Sequence, residues 1–232
     1  MDRDLRPLLQ DWPHDPERLN VRVLEVEEGR TVLQVRVELG ILQMEIDGRP
    51  DGGEDVLARI EGSLAVGAEV KIDADLAAVL RHEALQVHQR YVAMLALERY
   101  EDVVRDTVRN LRMFDLCRRL AVEEGDRTVL EQFRPQVIAT RARAAALLAL
   151  RGERVPEARR LLEEAVEEIR ASLPEGTPDP QECAMLEGMR DVLQPQLPVS
   201  QRHELERRIR AAIEAENYEL AAILRDELRQ LP

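Results

Sequence analysis

The sequence is poor in lysine, aromatic residues, cysteine and long apolar runs. Of 33 basic residues only Lys71 is a lysine; the rest are arginine. The plain reading is the codon bias of a GC-rich genome; the sharper one is arginine chosen as a planar clamp for carboxylate or phosphate. Two Phe, three Tyr and one Trp make up the 3% of aromatics. Scarcity of interleaved aromatics argues against a base-stacking surface, and it leaves the core to Leu, Val, Ile and Ala. Hydrophobic residues reach 44%, which argues against wholesale disorder. The two cysteines, Cys117 and Cys183, form no C-x-x-C pair. Their spacing offers neither a disulfide framework nor a zinc site, so buried free thiols in a reducing compartment are expected. No apolar run approaches the ~18–20 residues of a membrane span. The opening Met1-Asp-Arg-Asp-Leu-Arg has no apolar segment of a secretory signal. The expectation is a cytoplasmic protein of bacterial type, with no membrane association.

Positive charge is also in deficit. The net charge of −13 over 232 residues opposes contact with a phosphate backbone, so direct nucleic-acid binding is disfavoured. The length suits one large domain or two small ones.

What is present falls into blocks. Val21, Val23 and Val26 precede a turn at Glu27-Glu28-Gly29-Arg30, and Leu33, Val35, Val37 and Leu39 then alternate with polar residues. Period-two alternation around a short glycine-containing gap predicts a β-hairpin, with Ile41 to Ile46 as a third strand. The run from Asp47 to Gly53 is dense in turn formers. Residues 1–72 are therefore expected to form a small antiparallel β region, its apolar face covered by later helices.

Residues 73–193 follow a helical period. A long helix capped by Asp73 or Asp75 is expected through about Glu98, then helices over Val103 to Ala121, Val129 to Leu150, and from Pro156 to about Ser172. A short amphipathic helix carrying Cys183, Leu186, Met189 and Leu193 lies among prolines. Leu97-Glu-Arg-Tyr100 and Leu150-Arg-Gly-Glu-Arg154 both resemble the turn of a tetratricopeptide-type hairpin. Their offset of about 55 residues exceeds the ~34-residue tetratricopeptide unit. The expectation is helix-pair stacking of tetratricopeptide-like style.

Residues 194–199 are expected to be a linker, and 200–232 a helical hairpin. Ser200 is a good N-cap. Leu205, Ile209, Ala212 and Ile213 form one stripe, Glu216-Asn217 breaks it, and Ala221, Leu224, Leu228 and Leu231 form a second. The stretch from Leu205 to Glu214, then Tyr218-Glu-Leu-Ala-Ala222, then Leu224-Arg-Asp226 and Leu228, resembles the UVR motif of the excision-repair proteins UvrB and UvrC, found also in regulators of Clp-type proteases and of protein-arginine kinase. Phenylalanine usually stands where this chain has Tyr218. The resemblance implies a docking module. A two-helix piece of this size cannot bury enough surface to stand alone. Its stripe must pack on a partner, a second copy, or the chain's own body. Six Arg against seven Asp or Glu in 200–232 favour a protein partner over nucleic acid. The expected partner-binding residues are Leu205, Ile209, Ile213, Tyr218, Ala221, Leu224, Arg225 and Leu228. Residues from Gln34 to Gly52 resemble a segment of bacterial proteins that also end in a UVR motif, a likeness that carries no function.

Motifs for chemistry are sparse. His82 and His88 stand six apart, about 240° around a helix, and cannot share an ion. The Gly48–Gly53 loop lacks the Gly-Lys-Ser/Thr of a phosphate loop and reads as a turn, although glycines there can aim backbone N–H groups at an anion. Arg105, Arg109 and Arg112 share a helix face with acidic neighbours, either an ion-pair ladder or a binding groove. Residues 134–160 hold seven Arg against Glu153 and Glu157, the one basic region. Intramolecular pairing is expected there. No nucleophile–base constellation is assembled. The reading is an α+β, mostly α protein without cofactor or metal, acting as a non-catalytic adaptor through its UVR hairpin. The alternatives are an accessory factor of nucleotide excision repair, or a regulator of a Clp-type protease or kinase. Such regulators often carry zinc-binding cysteine pairs, which are absent here.

Overall fold

The computed structural model of the chain describes residues 5–26, 29–193, 199–214 and 218–230. It is an α+β structure, mostly α, with one three-stranded antiparallel sheet. Two compact units are present, Met1–Arg190 and Asp191–Pro232.

In the first unit a short helix α1 (Arg6–Asp11) precedes strands β1 (Asn20–Glu25), β2 (Thr31–Val37) and β3 (Gly40–Glu45). β2 is central. Val23 lies opposite Leu33, which in turn lies opposite Met44. Alternation sends Leu33, Val35 and Met44 to one face. That face packs with Val87, Tyr91 and Met94 and with Tyr100 and Val103 in one core. The expected cover by the following helices is thus found. The other face is not bare, which alternation alone does not reveal. Arg22 stacks 4.0 Å over the Trp12 ring. Arg36, only 7% exposed, donates from Nε to the Trp12 carbonyl at 2.8 Å.

Residues 1–72 hold more than strands. Helix α2 (Val56–Ala65) follows the Gly48–Gly53 loop. Asp55 is its N-cap, accepting from the Ala58 amide at 2.8 Å, and Val56, Leu57 and Ile60 are buried. Ile72 then makes a parallel bridge to Ala121, receiving a hydrogen bond from the Val122 amide at 2.9 Å.

The helical body comprises α3 (Ala74–Ala96), α4 (Tyr100–Leu120), α5 (Glu124–Thr128), α6 (Arg134–Arg151), α7 (Val155–Ser172) and α8 (Gln181–Val192). Asp73 caps α3, accepting from the Leu76 amide at 2.9 Å. The helix expected from Val129 starts later, because Pro135 stands in the first turn of α6. Proline lacks an N–H and clashes with the carbonyl four residues back, so it opens helices rather than continuing them. Glu131–Phe133 forms a 3₁₀ turn before it.

The two turns singled out in the sequence share one geometry. Glu98 (φ 56°) and Glu153 (φ 58°) are the non-glycine residues with left-handed backbone among those described. Arg99 N–H donates to the Met94 carbonyl and Glu98 N–H to that of Leu95; Arg154 and Glu153 repeat the pattern to Ala149 and Leu150. This pair of bonds is the Schellman helix ending. The turns are tied together: Arg151 donates to the Glu98 carbonyl at 2.9 Å and lies 4.4 Å over the Tyr100 ring.

The most deeply buried ion pair joins α3 to α4. Arg90 and Asp106 are 1% and 0% exposed. Arg90 Nε donates to Asp106 Oδ2 at 2.7 Å and Nη2 to Oδ1 at 2.9 Å. Its Nη1 donates to the carbonyls of Glu45 and Gly48, both at 2.9 Å. One side chain thus holds two helices and the end of β3.

Two predictions follow from these elements. Arg90→Met strips buried Asp106 of its bidentate partner, leaving only Arg105 Nε at 3.1 Å, and is expected to lower unfolding free energy by about 3 kcal/mol, read from the urea midpoint. Arg90→Met with Asp106→Leu recovers much of that loss; a double variant as unstable as the single one contradicts this account. Glu153→Gly relieves a left-handed backbone at an exposed position. It is expected to raise stability by roughly 0.5–1 kcal/mol in thermal unfolding, and a decrease refutes the strain.

Candidate functional site

The second unit contains helices α9 (Val199–Glu214) and α10 (Tyr218–Gln230), which pack on each other. Of the expected linker at 194–199, residues 194–198 lie outside the described residues and Val199 is the first residue of α9; the expected break at Glu216-Asn217 also lies outside them. In α9, Leu205 and Ala212 are buried and Ile209 is half-buried; in α10, Leu224 is buried and Leu228 half-buried. These positions follow the two sequence stripes, at i, i+4, i+7 and i, i+4. The side chains of Tyr218 and Ala221 lie outside those described.

The expected contact residues therefore divide. Leu205 and Leu224 are 7% and 2% exposed. Ile213 is 50% exposed, and Arg225 is exposed with its Nε 3.6 Å from Asp226 Oδ1. Two residues absent from the expected set join them. Leu220 and Ile223 are 40% and 65% exposed on α10. Ile213 sits in the last turn of α9 and Leu220 in the first turn of α10, so the apolar exposure gathers toward the hairpin turn. Ile223 lies off the main stripe, whose helical period runs through its neighbour Leu224.

The remaining candidates have internal partners. Arg105 donates from Nη2 to the Ile46 carbonyl at 2.8 Å and from Nη1 to Asp47 at 3.0 Å. Arg109 grips Asp55 with both Nη groups, at 2.8 and 2.9 Å, and also reaches buried Glu83. Arg112 meets Glu61 at 2.8 Å. The shared face is thus a ladder that fastens α4 to the 46–55 segment and α2. The Gly48–Gly53 loop is a turn. Gly52 N–H donates to the Arg49 carbonyl and Gly53 N–H to the Asp51 carboxylate, so both are engaged within the loop. Gln86 holds Asp51 at 3.0 Å.

In the basic region, Arg134 pairs with Glu131 and Asp115, Arg141 with Glu168, Arg151 with Glu98, Arg154 with Glu157, and Arg160 with Glu164. His82 Nε2 lies 3.2 Å from Gln86 Nε2, while His88 Nδ1 lies 2.6 Å from the Tyr91 hydroxyl. Among the described residues no three His, Cys, Asp or Glu side chains gather to hold a metal. Cys117 and Cys183 are both buried and unpaired, and burial pushes the Cys117 thiol up to about 11. Among the described residues no helix is long and apolar enough to cross a membrane.

The comparison with known families meets this geometry at one place. Residues 200–231 match the model of the UvrB/uvrC motif. The match takes in α9 and α10 and ends there. No curated protein and no solved structure matches the chain. UVR motifs are associated with protein interaction and with UvrB and UvrC contacts.

The ladder gives a pH prediction. Hydrogen bonds from Arg109 hold the Asp55 carboxyl below its ordinary value of 3.8, against the opposing effect of burial. A carboxyl depressed in the folded state contributes stability that is complete above 3.8 and lost as pH falls through the lower folded value. Asp55→Asn keeps a competent helix cap. The melting-temperature gap between wild type and this variant is expected to be constant from neutral pH to about 5 and to narrow below 3.8. A gap that widens on acidification contradicts the assignment.

Proposed function

We propose that the chain is a non-catalytic adaptor that recruits a protein partner through its C-terminal UVR hairpin. The observation that carries this reading is the coincidence of the family match at 200–231 with a two-helix unit exposing Ile213, Leu220 and Ile223. Aliphatic side chains exposed on so small a hairpin are what a second pair of helices covers. Covering a large aliphatic side chain contributes about 1.5–3 kcal/mol, so two or three suffice for a specific but reversible contact. Ile209, Tyr218, Ala221, Arg225 and Leu228 are proposed to flank that patch. Leu205 and Leu224 are proposed to hold the two helices together and to act on docking only indirectly. In the first unit, arginines of α4 and of the 134–160 region are paired internally. The motif's description favours a partner in nucleotide excision repair over a protease or kinase regulator. The location expected for such an adaptor is the cytoplasm.

The test compares affinity capture from the native host by the full chain, by a chain truncated after Val199, and by an Ile213→Glu/Ile223→Glu variant. A protein retained by the full chain is expected to be lost on truncation and weakened at least about 10-fold in the variant, with helix content unchanged by circular dichroism. Equal capture by all three, with equal folding, overturns the reading.

A further inference from the structure

Three of the six aromatic residues, Tyr91, Phe114 and Phe133, line a single cavity of about 190 Å³ in the helical body. It lies among α3, α4, the 3₁₀ turn and the start of α6, and Ala84, Leu130 and Val137 complete its apolar walls. Helical interiors are ordinarily packed with few voids larger than a water molecule. An apolar cavity of about 150 Å³ already accepts benzene. At the rim, Leu85 is 53% exposed and Phe133 46%, so a small molecule has a way in past side chains alone.

The polar side chains of the wall are Asn110, His88, Tyr91 and Arg81, with exposed Gln136 at the rim. Asn110 is 2% exposed and lines the cavity. Its Nδ2 donates to the Ala84 carbonyl at 3.0 Å, which fixes the other end of the amide as oxygen. That Oδ1 is buried and has no hydrogen-bond partner. A buried acceptor left unpaired is costly, and such groups ordinarily meet a donor. His88 and Tyr91, also in the wall, share one hydrogen bond of 2.6 Å. Burial lowers the imidazole's pKa and raises that of the phenol, so both stay neutral at pH 7. A neutral imidazole and a phenol carry two acidic protons, and their mutual bond uses one. Whichever tautomer is present, one donor remains. The nearest charge, Arg81, is engaged by Asp126.

We propose that this cavity is a binding site for a small uncharged molecule, an aromatic or branched aliphatic body bearing a hydroxyl or amide that donates to Asn110 Oδ1. A hydroxyl can donate to Asn110, and its lone pairs can accept the proton that His88 and Tyr91 leave over. A carboxylate or an ammonium group finds no free counter-charge among the residues named and is rejected.

Phenol and benzene are the probes, each titrated into the full chain at pH 7 and followed by amide resonances. Phenol is expected to shift Ala84, Asn110, Leu130 and Val137 saturably and to bind about five-fold more tightly than benzene, the increment of one added hydrogen bond. In Asn110→Leu, which keeps side-chain bulk and removes the acceptor, that preference is expected to vanish or invert. The wild-type comparison stands alone if the variant does not fold. No saturable shift with either probe, equal affinities in the wild type, shifts centred elsewhere, or an undiminished preference in a folded Asn110→Leu overturns the proposal and leaves a cavity for solvent.

Discussion

The contact between Arg90 and Asp106 decides where the sheet sits. Two opposite charges removed from water carry a desolvation penalty of several kcal/mol per ion, and only good geometry with further hydrogen bonds offsets it. Both conditions are met. The pair is bidentate, and the remaining Arg90 nitrogen turns to the carbonyls of Glu45 and Gly48. Those carbonyls lie where β3 ends and the Gly48–Gly53 loop begins. The gain is therefore one of position: Arg90 ties the end of β3 to α3 and α4, and hydrophobic burial of Leu33, Val35 and Met44 then stabilises that docking.

The same logic recasts the near-absence of lysine. Codon bias explains the overall count, but it does not explain Arg90, Arg109 and Arg134, each gripping carboxylates with two or more nitrogens. A lysine offers a compact point charge without that fork. Arg109 reaches the cap of α2 and buried Glu83 at once, a span that one ammonium cannot reproduce. Whatever its origin, the arginine-rich composition is used where the first unit joins its strands, its loop and its helices.

Legibility in the sequence followed the range of the interactions. Period-two alternation gave all three strands, because each strand's pattern is written within a few residues. The Asp73 cap, the two helix turns at Glu98 and Glu153, and the C-terminal stripes were readable for the same reason. Helix α2 was missed. Its cap Asp55 and its apolar Val56, Leu57 and Ile60 are local signals, but they follow a glycine-rich turn and the helix contains Gly62. Its anchoring by Arg109 and Glu83 depends on residues far along the chain. The cavity was beyond sequence reasoning: Asn110 reads as one polar residue in a charged helix until α3 and α6 are placed beside it. At the hairpin the pattern identified the helices and their shared stripe. It could not separate residues that face the other helix from residues that face outward, because both lie within about one turn of each other.

The distribution of charge supports assigning recognition to the hairpin. Residues 134–160 are locally basic, yet α7 supplies Glu157, Glu164 and Glu168 to that region's arginines, and the α3–α4 turn supplies Glu98. Exposed pairs of this kind contribute at most about 1 kcal/mol each to stability. Their larger effect is to cancel the local field that would draw in an anionic polymer. The α4 arginines are cancelled in the same way by Asp47, Asp55 and Glu61. Long-range electrostatic attraction is thus weakened in the one basic region and along the arginine face of α4. The surface proposed for docking on the hairpin is by contrast short-range and apolar, with Ile213, Leu220 and Ile223 exposed, and a contact of that kind selects a partner by shape and buried area more than by charge.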